Sequence, residues 1–224
     1  MTVRRIVALV PMREHSERVP GKNYRLLAGR PLFHYVIEAL LACPQITEVV
    51  VDTDSPSIQQ GLAQDFPVVR VLPRPEHLRA GDIPMNTILL HDTAQVPADL
   101  YLQTHSTNPL LQPATIQAAI EAFLADHSKD SLFTVTALQT RLYDGAGAAI
   151  NHNPRELLRT QDLPPVYEEN SCLYLFTREN LEKYDHRIGS APLMFPIPRA
   201  EAWDIDEELD FQVVDFLMRQ RQAG

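Results

Sequence analysis

The sequence predicts an α/β fold in which a mainly parallel sheet is covered by helices on both faces. Three observations predict it. Ile6-Val7-Ala8-Leu9-Val10 is a continuous apolar run rich in β-branched residues, the pattern of a strand buried on both faces. Runs of this kind alternate with stretches of helical spacing as far as Ala137. Polar loops follow the strands, as in right-handed βαβ units. Together these describe a Rossmann-like three-layer sandwich.

The elements follow in order. After the first strand a polar loop runs from Arg13 to Asn23 and contains Pro20-Gly21. Apolar spacing is helical from Leu32 to Leu41, and Pro44 just beyond it is a stop signal. Glu48 to Val51 is a second buried strand, ending in Asp52-Thr53-Asp54-Ser55-Pro56. A helix over Ser57 to Gln64, a strand at Val68 to Leu72, a helix near Thr87 to Thr93 and a strand at Leu100 to Gln103 continue the alternation. A helix from Pro113 to Ala125 and a strand at Ser131 to Ala137 come next. From Gln139 to Pro165 the periodicity fades into Gly, Asn, His and Pro, with a turn signal at Asp144-Gly145. This stretch, 139–165, reads as a hairpin arm inserted in a single domain spanning 1–224. A strand returns at Cys172 to Phe176, and a last helix spans Glu207 to Arg219. Ligands bind beyond the carboxyl ends of the strands in such sheets, so chemistry is expected after Val10, Val51, Leu72 and Gln103.

Composition narrows the partners. Lys and Arg number 20 against 29 Asp and Glu, and this acidity argues against broad binding of a nucleic-acid backbone. A local basic pocket for a small anion is still compatible with it. Cys43 and Cys172 stand far apart with no metal-ligand spacing, the pattern of packing cysteines in a reduced compartment. MTVRRIVALVP has too short an apolar run for a signal sequence, and no stretch is long enough for a membrane helix. The expectation is a cytoplasmic protein without a membrane partner.

Two segments carry chemistry. The first, Arg13-Glu14-His15-Ser16-Glu17-Arg18-Val19-Pro20-Gly21-Lys22-Asn23, places three cations and a serine in one strand-to-helix connection. A triphosphate needs such charge spread along its oxygens, with Arg donating as a fork and Lys as a point charge. Neither a P-loop nor a GxGxxG fingerprint is present: Ser16 holds the first glycine position and Asn23 follows Lys22. In the second, Asp204-Ile205-Asp206, the period of two in extended chain projects both carboxylates to one side. Paired carboxylates completed by phosphate and water suit Mg²⁺. Asp52-Thr53-Asp54 also invites a reading as a haloacid-dehalogenase-like phosphatase, but it lies on the second strand, whereas that fold carries its pair on the first.

Val10-Pro11-Met12-Arg13, Ser16, Pro20-Gly21-Lys22-Asn23 and Leu27-Ala28-Gly29-Arg30-Pro31-Leu32 resemble the opening of the acylneuraminate cytidylyltransferases, the CMP-sialic acid synthetases and their bacterial relatives. Asp204-Ile205-Asp206 with Leu209-Asp210-Phe211 resembles their C-terminal metal motif. The resemblance runs from Ile6 to about Leu217. It implies that Arg13, Ser16, Lys22 and Asn23 hold the CTP phosphates, helped by Arg18, because Glu14-His15 replaces a glycine pair of many members. Asp54 and Ser55 would border the nucleotide, and Arg74-Pro75 would form the cytosine-side loop. Asp204 and Asp206 would hold the catalytic Mg²⁺.

The same resemblance assigns a sugar site. Leu102-Gln103-Thr104-His105-Ser106-Thr107-Asn108-Pro109-Leu110 is similar to the family's Leu-Gln-Pro-Thr-Ser-Pro stretch, with one extra residue. Gln103 would face the sugar, and His105, Ser106 and Thr107 offer the hydrogen bonds that a polyhydroxylated ligand needs. The Gln-Gly-Asp-Glu-Pro segment of relatives that activate the eight-carbon acid Kdo is absent, which favours a nine-carbon acid. Arg159, supported by Gln161, is the candidate for the sugar's carboxylate. The 139–165 arm would build a homodimer with shared sites. The implied reaction is attack of the anomeric hydroxyl on the α-phosphate of CTP, with Arg13, Lys22 and Asp206 as its catalytic groups. Legionaminic, pseudaminic or Kdo-like acceptors, or a non-catalytic nucleotide-sugar binder, are the alternatives.

Overall fold

The structure, a computed structural model, describes residues 4–223. Met1 to Val3 and Gly224 lie outside the described residues, and with them the first three positions of the leader reading and both ends of the expected 1–224 domain. Strand β1 (Ile6–Leu9) is followed by the short strands β2 (Leu26–Leu27) and β3 (Arg30–Pro31), helix α1 (Leu32–Leu41), strand β4 (Glu48–Thr53) and helix α2 (Pro56–Asp65). Then come β5 (Arg70–Pro73), α3 (Met85–Gln95), β6 (Leu100–Gln103), α4 (Pro113–Ala125) and β7 (Ser131–Leu138). The chain closes with β8 (Val166–Phe176), α5 (Arg178–Tyr184), β9 (Pro192–Pro196) and α6 (Glu208–Ala223).

Seven strands form one sheet in the order β5-β4-β1-β6-β8-β7-β9. Only β8 runs against the rest, pairing antiparallel with both β6 and β7. The mainly parallel sheet expected from the sequence is present. Alternation along β1 shows why it is buried on both faces. Ile6 and Ala8 pack with Phe33, Ile37, Leu62 and Ile120 of α1, α2 and α4, whereas Val7 and Leu9 pack with Leu89 and Leu181 of α3 and α5. Three layers result. Among the described residues no helix is long and apolar enough to cross a membrane.

A third cluster, Val19, Leu27, Leu32, Leu110, Ile205, Phe211, Val214 and Met218, seats α6 against the loop after β1. Polar contacts reinforce it. The Ala28 N–H donates to Asp215 at 2.6 Å, and Arg25 grips Glu208 through both outer nitrogens at 2.5 and 2.7 Å. The Arg25 guanidinium also lies 4.1 Å from the centre of the Phe211 ring.

The hairpin arm is less regular than its sequence suggests. Tyr143 and Ala149 form an isolated antiparallel bridge, and no strand lies between β7 and β8. Two connections differ from the sequence reading. The last strand before α5 is longer than Cys172 to Phe176, because β8 begins at Val166 and is irregular. Its register against β7 shifts between the pairs Phe133–Tyr174 and Val135–Glu169, and Ser171 takes a positive φ of 56°. The second is β9, an edge strand the sequence reading lacks.

Candidate active site

The loop after β1 folds around Gly21, whose φ of 67° is adopted most readily by a residue without a side chain. Asn23 is buried as a brace: its Nδ2 donates to the Arg13 carbonyl at 2.9 Å, and its Oδ1 accepts from the Ser106 hydroxyl at 2.6 Å. The two strand-end loops are thereby tied together. Arg13 reaches the Gly81 carbonyl at 3.4 Å across the cleft mouth. The Glu14 N–H donates to Asp54 at 2.8 Å, so this peptide is already occupied.

The C-terminal segment meets this loop from the other side. The Lys22 ammonium donates to the Ile205 carbonyl at 2.6 Å and lies 4.0 Å from Asp206, which also pairs with Arg18 at 2.8 Å. Asp204 Oδ1 is buried without a hydrogen-bond partner. Burial pushes the Asp204 carboxyl above its ordinary range, opposed by Thr107 and reinforced by Asp206. Burial likewise lowers the Lys22 ammonium, and the two aspartates pull it back up. A site with an orphaned buried carboxylate oxygen and a second carboxylate two residues on fits a divalent cation. Among the described residues no group of three or more His, Cys, Asp or Glu could hold a metal, so the remaining ligands would be phosphate oxygens and water.

One cleft of about 390 Å³ gathers these groups. It is lined by Arg13, Ser16, Lys22, Asn23, Arg74, His105, Ser106, Thr107, Asp204 and Asp206 among the predicted residues, with His15, Ala80, Ile88 and Ser171 in addition. Arg74 is buried and pairs with Asp52, and its Nη1 is left without a partner. That pairing leaves Asp52 no role as an exposed phosphatase nucleophile. Burial drops the His105 imidazole to about 4, so it is neutral at pH 7.

Other predicted residues stand elsewhere. Ser55 is buried and caps α2, accepting from the Ile58 N–H at 3.3 Å, and Asp54 holds Glu14; neither lines the cleft. Arg18 reaches it only through Asp206. Gln103 lies behind His105, with 3.1 Å between their Nε2 atoms. Arg159 pairs with Asp162 at 2.7 Å, and Gln161 offers its carbonyl to Gln139 at 2.8 Å; both are on the arm and outside the cleft.

A family profile described as cytidylyltransferase matches residues 7–211, which takes in every cleft residue. This chain belongs to the cytidylyltransferase family. Among curated relatives it is 30% identical to the CMP-N,N'-diacetyllegionaminic acid synthase of Legionella pneumophila, over 98% of this chain and 99% of that protein. It is 26% identical to the N-acylneuraminate cytidylyltransferase of Oncorhynchus mykiss, over 95% of this chain and 50% of that protein. The solved CMP:2-keto-3-deoxy-manno-octonic acid synthetase complexed with CTP superposes with a TM-score of 0.69 at 18% identity, covering 97% of this chain and 99% of that one. As a cytidylyltransferase, the chain is a nucleotidyltransferase, and its cleft combines the cations Arg13, Lys22 and Arg74 with the paired carboxylates of Asp204 and Asp206.

Proposed function

We propose that this cytidylyltransferase joins CMP from CTP to the anomeric hydroxyl of a sialic-acid-like nine-carbon ulosonic acid and releases pyrophosphate. One observation carries the reading: a single cleft unites Arg13 and Lys22 with the carboxylates of Asp204 and Asp206 from the far end of the chain. The relatives' names support CMP transfer to an ulosonic acid. The end-to-end match to the Legionella protein makes N,N'-diacetyllegionaminate the first acceptor to test beside N-acetylneuraminate.

Arg13, Ser16 and Lys22 would bind the triphosphate, Arg18 would steady Asp206, and Asn23 would fix the loop that carries them. Arg74, with its unfilled Nη1, would donate to the cytosine side. Asp204 and Asp206 would hold Mg²⁺, which supplies charge neutralisation at the α-phosphate. His105, Ser106 and Thr107 would orient the acceptor so that its hydroxyl lies in line with that phosphorus. Asp206, whose side chain keeps 47% exposure, or a metal-bound hydroxide would take the hydroxyl proton.

A homodimer in the cytoplasm completes the proposal. Tyr143, Ile150 and Leu157 on the arm are exposed, Leu157 by 92%, and such a patch is suited to a partner subunit. Arg159 and Gln161 would then contact acceptor by crossing to the neighbouring cleft.

The test is pyrophosphate release from CTP and Mg²⁺ with N-acetylneuraminate, legionaminate, pseudaminate and Kdo supplied separately. Release with one nine-carbon acid, and none when ATP or GTP replaces CTP, is expected. Asp206→Asn is expected to lower kcat by about 10²-fold or more. Turnover that survives this change with normal magnesium dependence removes the metal assignment, and release with Kdo alone moves the acceptor to an eight-carbon acid. CTP binding without release from any acid favours a nucleotide-sugar binder.

A further inference from the structure

Gln103 ends β6 and is fully buried, so its amide must find its partners inside the protein. It does not line the cleft; His105, which it contacts, does. The orientation of the amide is decided twice. Arg187, in the connection between α5 and β9, has only N–H groups to offer, and its Nη1 donates to Gln103 Oε1. A backbone carbonyl can only accept, and that of Thr104 takes one Nε2 hydrogen of Gln103 at 3.0 Å. Arg187 is itself braced, its guanidinium 3.8 Å from the centre of the Tyr174 ring, and Tyr174 pairs with Gln103 across β6 and β8. The second Nε2 hydrogen of Gln103 is the one left for His105 Nε2, 3.1 Å away.

That contact fixes the imidazole. A ring nitrogen that receives an N–H must present its lone pair, so the proton of neutral His105 sits on Nδ1. A further proton on Nε2 would set donor against donor. Burial, with Arg187 and Lys22 as the neighbouring cations, holds the ring neutral, its pKa lowered to about 4. Nδ1 has no hydrogen-bond partner among the described residues and is not buried, so it is open to the cleft that the ring lines. The next residue complements it. The Ser106 hydroxyl donates to Asn23 Oδ1 at 2.6 Å, so Ser106 keeps only lone pairs for a ligand. The wall therefore sets a donor at His105 beside an acceptor at Ser106.

We propose that His105 meets an oxygen of the acceptor sugar through Nδ1–H, as a hydrogen-bond donor only, and that Gln103, oriented by Arg187, is the positioning residue that holds it in this tautomer. The proposal rests on the reading that places His105 on the acceptor side of the cleft. It moves the sugar contact expected of Gln103 to the residue that Gln103 supports. With its one lone pair turned to Gln103, His105 is no general base for the anomeric hydroxyl.

The test first reads the imidazole nitrogens of His105 by long-range proton–nitrogen correlation in the free protein, the signals assigned by their loss in His105→Asn. Nε2 is expected as a bare nitrogen and Nδ1 as a protonated one; the reverse pattern overturns the proposal. Gln103→Met is expected to release the ring into both tautomers. Gln103→Glu, which keeps a partner for Arg187, is expected to reverse the pattern, because a carboxylate draws the proton to Nε2. A spectrum unmoved in both variants removes Gln103 as the positioning residue. Kinetics then test the contact, with the panel acid that the wild type turns over. His105→Leu is expected to raise KM for that acid about 10-fold, while KM for CTP stays within about twofold. His105→Asn, whose amide offers an N–H near the Nδ1 position, is expected to recover part of the loss at an unchanged melting temperature. An acceptor KM unmoved in His105→Leu, or a rise confined to CTP, overturns the contact. Silence of the wild type with every acid strikes the transfer reading and leaves the nitrogen spectrum readable. Calorimetric titration with the same four acids then decides the contact: acid binding weakened in His105→Leu supports it, and no acid binding that depends on residue 105 overturns it.

Discussion

Asp92 lies fully buried on α3 beside Asp52, with no hydrogen-bond donor on either carboxylate oxygen. Burial, and then the neighbouring Asp52, push its carboxyl up to about 8, while Arg74 partly opposes the shift. The sign follows from linkage. A carboxyl whose pKa is raised on folding lends stability that is intact below about pH 4 and is lost as pH climbs towards about 8. Asp92→Asn keeps the neutral shape without the proton. Its melting temperature is expected to fall less than that of the wild type between pH 5 and pH 8.5, in thermal denaturation at matched ionic strength. Parallel curves for the two proteins would remove Asp92 from the pH response. Such a residue is hard to see in sequence, because one acid inside a helical stretch looks like a solvated face. Asp204 and Asp206 were legible for the opposite reason: two carboxylates on one side of extended chain repel unless something lies between them.

At the scale of elements, the loop after β1 depends on one backbone choice. Gly21 has a φ of 67°, and a Cβ there would lie 2.9 Å from the Tyr24 ring. Gly21→Ala is expected to lose roughly 1 kcal/mol in urea denaturation from the left-handed backbone. A raised KM for CTP should accompany it, because Lys22 and Asn23 follow directly. A KM unchanged at lowered stability would mean that the loop re-forms around the methyl group. The elements that sequence revealed were those with a clean period: β1, β4 and α1 each follow their apolar pattern. Strand β9 was hidden because Pro192 and Pro196 bound it, and prolines are tolerated in strands only at edges and ends. Strand β8 was seen only in its last five residues. Its first half is exposed and polar, and pairing with β7 holds it in place where burial does not.

For the molecule as a whole, the proposed shared sites lend themselves to mixing. Asp206→Asn lacks a cleft function, and Arg159→Ala lacks an arm function. If arms serve the neighbouring cleft, co-refolded mixtures of the two contain subunit pairs with one intact site, and pyrophosphate release should reappear. Release no higher than the sum of the separate variants, with dimers present in sedimentation, would confine Arg159 to its own subunit or to a structural role. The broad architecture was readable because strand and helix patterns alternate along the chain, whereas the arm's path was not, its residues from Gln139 to Pro165 having no period to follow.

The attachment of the loop after β1 to the segment around Asp206 has a temporal consequence. Ribosomes deliver the chain N-terminus first, at roughly 5–20 residues per second. Lys22 leaves the peptidyl-transferase centre 183 residues ahead of the carbonyl it binds, and Arg18 precedes Asp206 by 188. Until Asp204 is added, the nascent polypeptide therefore carries the proposed phosphate-binding cations with no carboxylate pair to complete them. Under the proposed function the two halves of the site meet only once Asp204 and Asp206 have been added, and a product cut short before Asp204 would lack the proposed magnesium ligands.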